Sequence, residues 1–140
     1  MTGDVVSTEV RVRYQETDRM GVVYHANFLV WFEVGRVEFL RSMGSSYREL
    51  EERGVFFPVL EANCRYRQPA RFDDRLEVRT CAERRGRAQL CFHYQVNRTS
   101  DTVLLAEGWT THAATDAEGT PMRLPAAILG RLGEPVIGAS

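Results

Sequence analysis

Apolar and polar positions change their period along this chain, and the changes mark out its elements. Glu9 to Tyr14 alternates, with Val10, Val12 and Tyr14 on one side and Arg11 and Arg13 on the other. That is the pattern of a strand with one buried face. From about Ala26 to Met43 the alternation gives way to residues that are apolar at nearly every position, from Phe28 through Trp31 and Phe32 to Phe39 and Leu40. An amphipathic surface helix shows a narrower stripe, so this segment is predicted to be a helix wrapped by other elements. Asn27 is its candidate N-cap and Gly44 its stop. Ser46-Tyr47-Arg48-Glu49 fits a capping box for a short second helix ending before Gly54.

Period two returns after Phe57-Pro58. Leu60 to Arg67, Leu76 to Ala82, Leu90 to Val96 and Val103 to Thr115 each read as a strand. Gln68-Pro69-Ala70-Arg71 breaks the first ladder, because proline lacks a donor. Arg84 to Arg87, Thr99 to Asp101 and Asp116 to Gly119 are turns. Pro125 to Leu132 is predicted as a terminal helix, and residues 1 to 5 as a loose start. The order is one strand, one apolar helix and a four-strand meander with three hairpin-like links. Antiparallel pairing follows, and with it an α+β fold in which a curved sheet wraps the helix. A sheet of this size keeps exposed edges and one uncovered face, which points to self-association.

Bulk composition narrows the class. With 140 residues, 44% hydrophobic and 26% charged, the chain suits one folded domain. A net charge of −1 argues against a general nucleic-acid binder. All 18 basic residues are Arg, which reads as codon bias rather than as a phosphate-binding design. Cys64, Cys81 and Cys91 are odd in number and lack a CxxC pair, and Met1 to Thr8 does not read as a leader. Reduced thiols and a cytoplasmic location are therefore expected. Phe28 to Phe32, the longest apolar stretch, is too short to cross a bilayer.

Candidate chemistry concentrates between the first strand and the long helix, in Arg13 to Phe28. Asp18 lies on this connection and His25 just before the helix. Free N–H groups at a helix start can hold an oxyanion while a nearby carboxylate attacks or activates water. The plain alternative for Asp18 is a side chain that merely caps a turn. His25 offers a backbone N–H to an oxygen or an imidazole to orient the carboxylate. Gly21 either lets the loop pass close to a substrate or serves the turn.

The residues Tyr14, Thr17, Asp18, Gly21, Val22, Val23, Tyr24 and His25, in the order Tyr-x-x-Thr-Asp-x-x-Gly-Val-Val-Tyr-His, carry a resemblance. So do Phe32 to Arg36 and Arg65 to Asp74. The chain resembles the 4-hydroxybenzoyl-CoA thioesterase family of hotdog-fold proteins, and within it the YbgC-like branch of acyl-CoA thioesterases, over about residues 8–125. The resemblance implies a single hotdog domain: an antiparallel five-stranded sheet around a long central helix. It implies a dimer with one continuous sheet, often doubled into a tetramer. It implies hydrolysis of an acyl-CoA with no cofactor, coenzyme A being part of the substrate, and an acyl carrier protein as a further partner. Asp18 would act on the thioester carbonyl as nucleophile or general base. The N–H near His25 would form the oxyanion hole, and Tyr14 would make a polar contact near the reacting group. Tyr14 reads equally as an inward aromatic continuing the Val10-Val12 face.

Gly21, Val23, Tyr24 and Phe28 are the expected substrate-binding residues. Arg87 and Arg123, with Arg84 and Arg85, are candidates for the phosphates of coenzyme A. Another hotdog branch uses a helix carboxylate, which brings in Glu33 and Glu38. Glu33 reads as a buried carboxylate paired with Arg36 or Arg41. No metal site stands out, since His25, His93 and His112 show no ligand spacing. Two rival readings are a hotdog hydratase or dehydratase and a non-catalytic binder of acyl thioesters or acyl carrier protein.

Overall fold

A computed structural model describes residues 3–133. Its elements are β1 (Val6–Arg11), a 3-10 turn (Tyr14–Glu16), α1 (Asn27–Arg41), α2 (Ser45–Glu52), β2 (Val59–Tyr66), β3 (Arg75–Arg85), β4 (Gln89–Arg98), β5 (Leu104–Ala113) and α3 (Ala126–Leu129). The loose start expected for residues 1 to 5 lies partly outside the described residues. All strand pairs are antiparallel and form one sheet in the order β1-β3-β4-β5-β2. This is the sheet-around-helix arrangement that the patterning predicts and the hotdog fold that the resemblance implies, with one correction. β3, β4 and β5 form a meander, but β2 pairs with β5 at the far edge and not with β3. The break at Gln68 to Arg71 is the start of a crossover rather than a hairpin.

Helix α1 lies on one face of the sheet. Alternate residues of β3 and β4, among them Leu76, Val78, Ala82, Leu90, Phe92, Tyr94 and Val96, are buried at 0–1% exposure in the same core as Phe28, Trp31, Phe32 and Phe39. Phe32 stacks on Tyr94 with ring centroids 4.3 Å apart, and Phe39 meets Phe92 edge-on at 5.6 Å. Gly35 is where helix and sheet come closest. A Cβ built there would lie 2.3 Å from Thr80 Oγ1 and 2.8 Å from Val78 Cγ1.

The helix is not wrapped on all sides, as its composition suggests. Leu29 and Val30 are 39% and 49% exposed, and Glu33 is exposed too. Edge strand β2 is likewise open, with Val59 and Leu60 each 50% exposed. Apolar positions on both elements thus exceed what one chain can bury, and periodicity counts them without saying which molecule covers them.

Smaller differences have local causes. Asn27 is not the N-cap; Ala26 is, with no side-chain cap bond. The Ser46 capping box does not form, because Gly44 stands at the N-cap of α2 with φ +63°, a left-handed backbone that favours glycine. β1 stops before Tyr14, where the chain winds into the 3-10 turn.

Candidate active site

The link from β1 to α1 is a small hairpin of its own. Thr17 bridges Val23, and Val22 bridges Arg71. The Asp18 N–H donates to Val22 O (2.8 Å), and the Gly21 N–H donates back to Asp18 O (3.0 Å). Asp18 Oδ1 accepts the Met20 N–H at 2.8 Å, an Asx turn. One carboxylate oxygen is therefore held by the turn, and Oδ2 has no hydrogen-bond partner among the described residues. Asp18 does cap a turn, and it remains exposed at the loop tip. Gly21 has φ +76°, and nothing lies within 4 Å of a Cβ built on it. In this chain its glycine serves the turn.

Two bonds bring the far arm of the hairpin to the helix. The Glu16 carbonyl accepts both the Tyr24 N–H and the Asn27 Nδ2 at 2.9 Å each. His25 sits between those two donors. Among the described residues the His25 N–H donates to no acceptor, and no side chain caps α1. It is an open donor beside the positive end of a helix. The His25 carbonyl accepts from Tyr66 Oη at 3.1 Å. Its imidazole packs on the Tyr24 ring with centroids 4.5 Å apart.

A cleft of about 290 Å³ opens beside this helix start, lined by Val23, His25, Phe28, Tyr66, Arg67, Gln68 and Pro69. Val23, His25 and Phe28 are thus brought together as expected residues. Asp18 is one strand-step away across the Thr17–Val23 bridge and does not itself line the cleft of a single chain. Tyr24 is half exposed at its rim, against His25. Tyr14 is 77% exposed and edge-on to Phe72 at 5.8 Å, which overturns the reading of an inward aromatic. The 3-10 turn rotates it off the strand face.

Arg87 and Arg123 neighbour each other, since the Leu124 N–H donates to Arg87 O at 2.8 Å. They sit beyond the β3–β4 hairpin, at the end of β3 away from the Asp18 hairpin. Arg85 is engaged by Glu83 and lies over the Trp109 ring at 5.9 Å. Glu33 is exposed and makes no ion pair among the described residues. Arg41 pairs with Glu38 instead, and Arg36 donates to Tyr94 Oη at 3.1 Å.

Pattern reading missed Glu16, Tyr66 and Gln68. Tyr66 ends β2, where Pro69 breaks the ladder, and a strand terminus next to a ladder break is the signal that marks it. Burial, helped by the Cys64 thiol, pushes the Tyr66 phenol up to about 12, so it stays protonated and donates to His25. Burial also pushes the Cys91 thiol up to about 12. No helix among the described residues is long and apolar enough to cross a membrane.

Comparison with known proteins agrees with this fold. The sequence pattern of the thioesterase-like superfamily matches residues 12–132. YneP of Bacillus subtilis is 34% identical over 114 residues, covering 81% of this chain and 82% of that protein. The acyl-CoA thioester hydrolase YbgC of Escherichia coli is 37% identical over 95 residues, 68% of this chain and 71% of its own. The crystal structure of TT1821 from Thermus thermophilus superposes with a TM-score of 0.79 at 44% identity, over 89% of this chain and 92% of that one. The chain therefore belongs to the thioesterase-like superfamily, and its class is that of a thioester hydrolase.

Proposed function

We propose that this protein hydrolyses acyl-CoA thioesters to the free acid and coenzyme A, with Asp18 and the His25 amide as its working groups. The observation that carries the reading is the pairing, in one hairpin, of a carboxylate with a free Oδ2 and an unengaged amide at the start of α1. A thioester carbonyl is electrophilic and its thiolate is a good leaving group, so a carboxylate with an oxyanion hole suffices. Asp18 either takes a proton from the attacking water or attacks the carbonyl carbon itself. In both routes the carbonyl oxygen gains the negative charge and the His25 N–H holds it. Collapse breaks the C–S bond and releases the thiolate, which takes up a proton. One water is consumed overall, and in the attack route it then opens the Asp18 anhydride.

A second copy of the chain completes the site. The open apolar positions of β2 and α1, Leu29, Val30, Val59 and Leu60, support a dimer through this edge, with a tetramer as the next level. The apolar cleft wall at Val23, Phe28 and Tyr66 suits an acyl group. Arg87 and Arg123, remote from the cleft of their own chain, are the phosphate contacts that a neighbouring protomer would supply.

Asp18→Asn keeps the Oδ1 acceptor of the turn and removes the carboxylate. On a panel of short, long and aromatic acyl-CoAs, free thiol release should fall at least a hundredfold with an unchanged melting temperature. Turnover at the wild-type rate would exclude Asp18. One turnover in ¹⁸O-water, followed by mass measurement of the Asp18 peptide, bears on the routes: label in the side chain establishes direct attack with water opening the anhydride at the Asp18 carbonyl, and the general-base route leaves none there.

A further inference from the structure

We infer that Glu16 and Asn27 form a positioning clamp that fixes the distance between the Asp18 carboxylate and the His25 amide. The inference rests on the reading of those two groups as the reacting pair, and it concerns residues that touch neither substrate nor leaving group.

The clamp is built from three contacts that meet on one residue. Glu16 is only 6% exposed, although it is a carboxylate on a short surface turn. Its Oε1 accepts the Arg13 N–H at 2.7 Å, closing the 3-10 turn, with Arg13 Nε at 3.5 Å. Its main-chain oxygen takes two donors, Tyr24 N–H and Asn27 Nδ2, both at 2.9 Å. Asp18 follows Glu16 by two residues on one arm of the hairpin. His25 lies between Tyr24 and Asn27 on the other. One carbonyl oxygen thus ties together the arm that carries the carboxylate and the helix turn that carries the amide.

A carbonyl has two lone pairs, and here both are used. The Asn27 donor is the unusual one. Here its amide group reaches out of the helix, and α1 has no side-chain cap. Asn27 thereby anchors the helix to the Asp18 hairpin, while the N–H groups of Asn27, Phe28 and Leu29 are taken by the Tyr24, His25 and Ala26 carbonyls. The buried Glu16 carboxylate holds the acceptor end, because it fixes the turn that aims the Glu16 carbonyl.

A misplacement of about 1 Å at a reacting group costs on the order of a hundredfold in rate. Loss of the clamp should therefore appear in kcat, with KM little changed, because neither residue lines the cleft. Asn27→Ala and Asn27→Asp both remove the donor, and Asn27→Asp also sets a carboxylate against the Glu16 carbonyl. Each should lower kcat ten- to a hundredfold while KM stays within threefold. Glu16→Ala should do the same, and Glu16→Gln, which keeps an Oε1 acceptor, should recover kcat to within threefold of wild type. Should Glu16→Ala fail to fold, the Asn27 variants carry the test. Wild-type kcat in folded Asn27→Ala would overturn the clamp, and so would equal losses in Glu16→Gln and Glu16→Ala. Amide hydrogen exchange separates this outcome from failure of the thioesterase reading. Asn27→Ala should speed exchange at Asp18 and Tyr24 tenfold or more while β3 and β4 keep their protection, whatever substrate the wild type accepts. Unchanged exchange at both amides would refute the clamp on structural grounds alone.

Discussion

His112 makes this fold sensitive to mild acid, and the size of the effect can be worked out from its neighbours. It lies on β5, fully buried. Its Nδ1 is 2.9 Å from the Phe57 carbonyl, which can only accept, so Nδ1 carries the proton. Nε2, 2.7 Å from Thr110 Oγ1, must then accept. The Thr110 proton being used, Tyr94 Oη at 2.6 Å donates to Thr110, and Arg36 donates to Tyr94. The chain of bonds runs in one direction from Arg36 to the Phe57 carbonyl. A second proton on His112 would turn Nε2 into a donor, so Thr110 Oγ1 would accept from both His112 and Tyr94 and its own O–H would lose the acceptor it has in the neutral state.

Burial first, and the Arg36 charge after it, push His112 down from 6.5 to about 4, with the Phe57 carbonyl opposing in part. The folded value lies below the unfolded one, so this stability is complete above 6.5 and is lost as pH falls through 4. A shift of about two and a half units sets a limit of about 3 kcal/mol. About 1–2 kcal/mol should be gone by pH 5.5 and about 2–3 by pH 4.5. Urea unfolding at fixed protein concentration, from pH 7.5 to 4.5, measures the loss. His112→Gln keeps a donor and an acceptor but does not titrate. Its intrinsic cost cancels when only the pH dependence is compared. Stability that falls in parallel for wild type and variant over this range would refute the reasoning, because His112 would then contribute nothing to the slope.

Two further outcomes follow from packing. Gly35→Ala must push α1 away from Thr80 and Val78, and should cost about 1–3 kcal/mol in urea unfolding; an unchanged midpoint would show that the helix shifts freely. Leu60→Asp places a charge on the open edge strand and should convert the proposed dimer to monomer in native mass spectrometry, with turnover lost alongside. A variant that stays dimeric would move the interface elsewhere.

Much of the fold was legible from period alone. Five strands and three helices sit within a few residues of where alternation, apolar runs and cap signals put them, because most strands hide one face. The place of β2 was not legible. Its alternation resembles that of β3 and β4, yet its neighbour is chosen by the crossover through Gln68 to Asp74, and period carries no pairing information. The stretch that holds the candidate site was legible, since Asp18, Gly21 and His25 sit in a motif that few unrelated chains would carry. Glu16 stayed hidden because a glutamate on a short polar turn reads as solvated, and only the folded hairpin shows it to be buried. Tyr14 misled for the opposite reason, since it continues the strand period into a turn that discards it.

The place of β2 at the outer rim bears on how the protein is made. Val59 pairs with His112, roughly fifty residues further on, so the partner of β2 leaves the ribosome well after β2 itself. Until β5 emerges, a half-synthesised chain holds a bare strand with Val59 and Leu60 at its beginning. Nascent chains on neighbouring ribosomes expose the same strand at the same moment, and mispairing between them competes with maturation. The charges on Glu61, Arg65 and Arg67 oppose that mispairing during translation, so substitutions there should lower the yield of usable protein more than the endurance of molecules already finished.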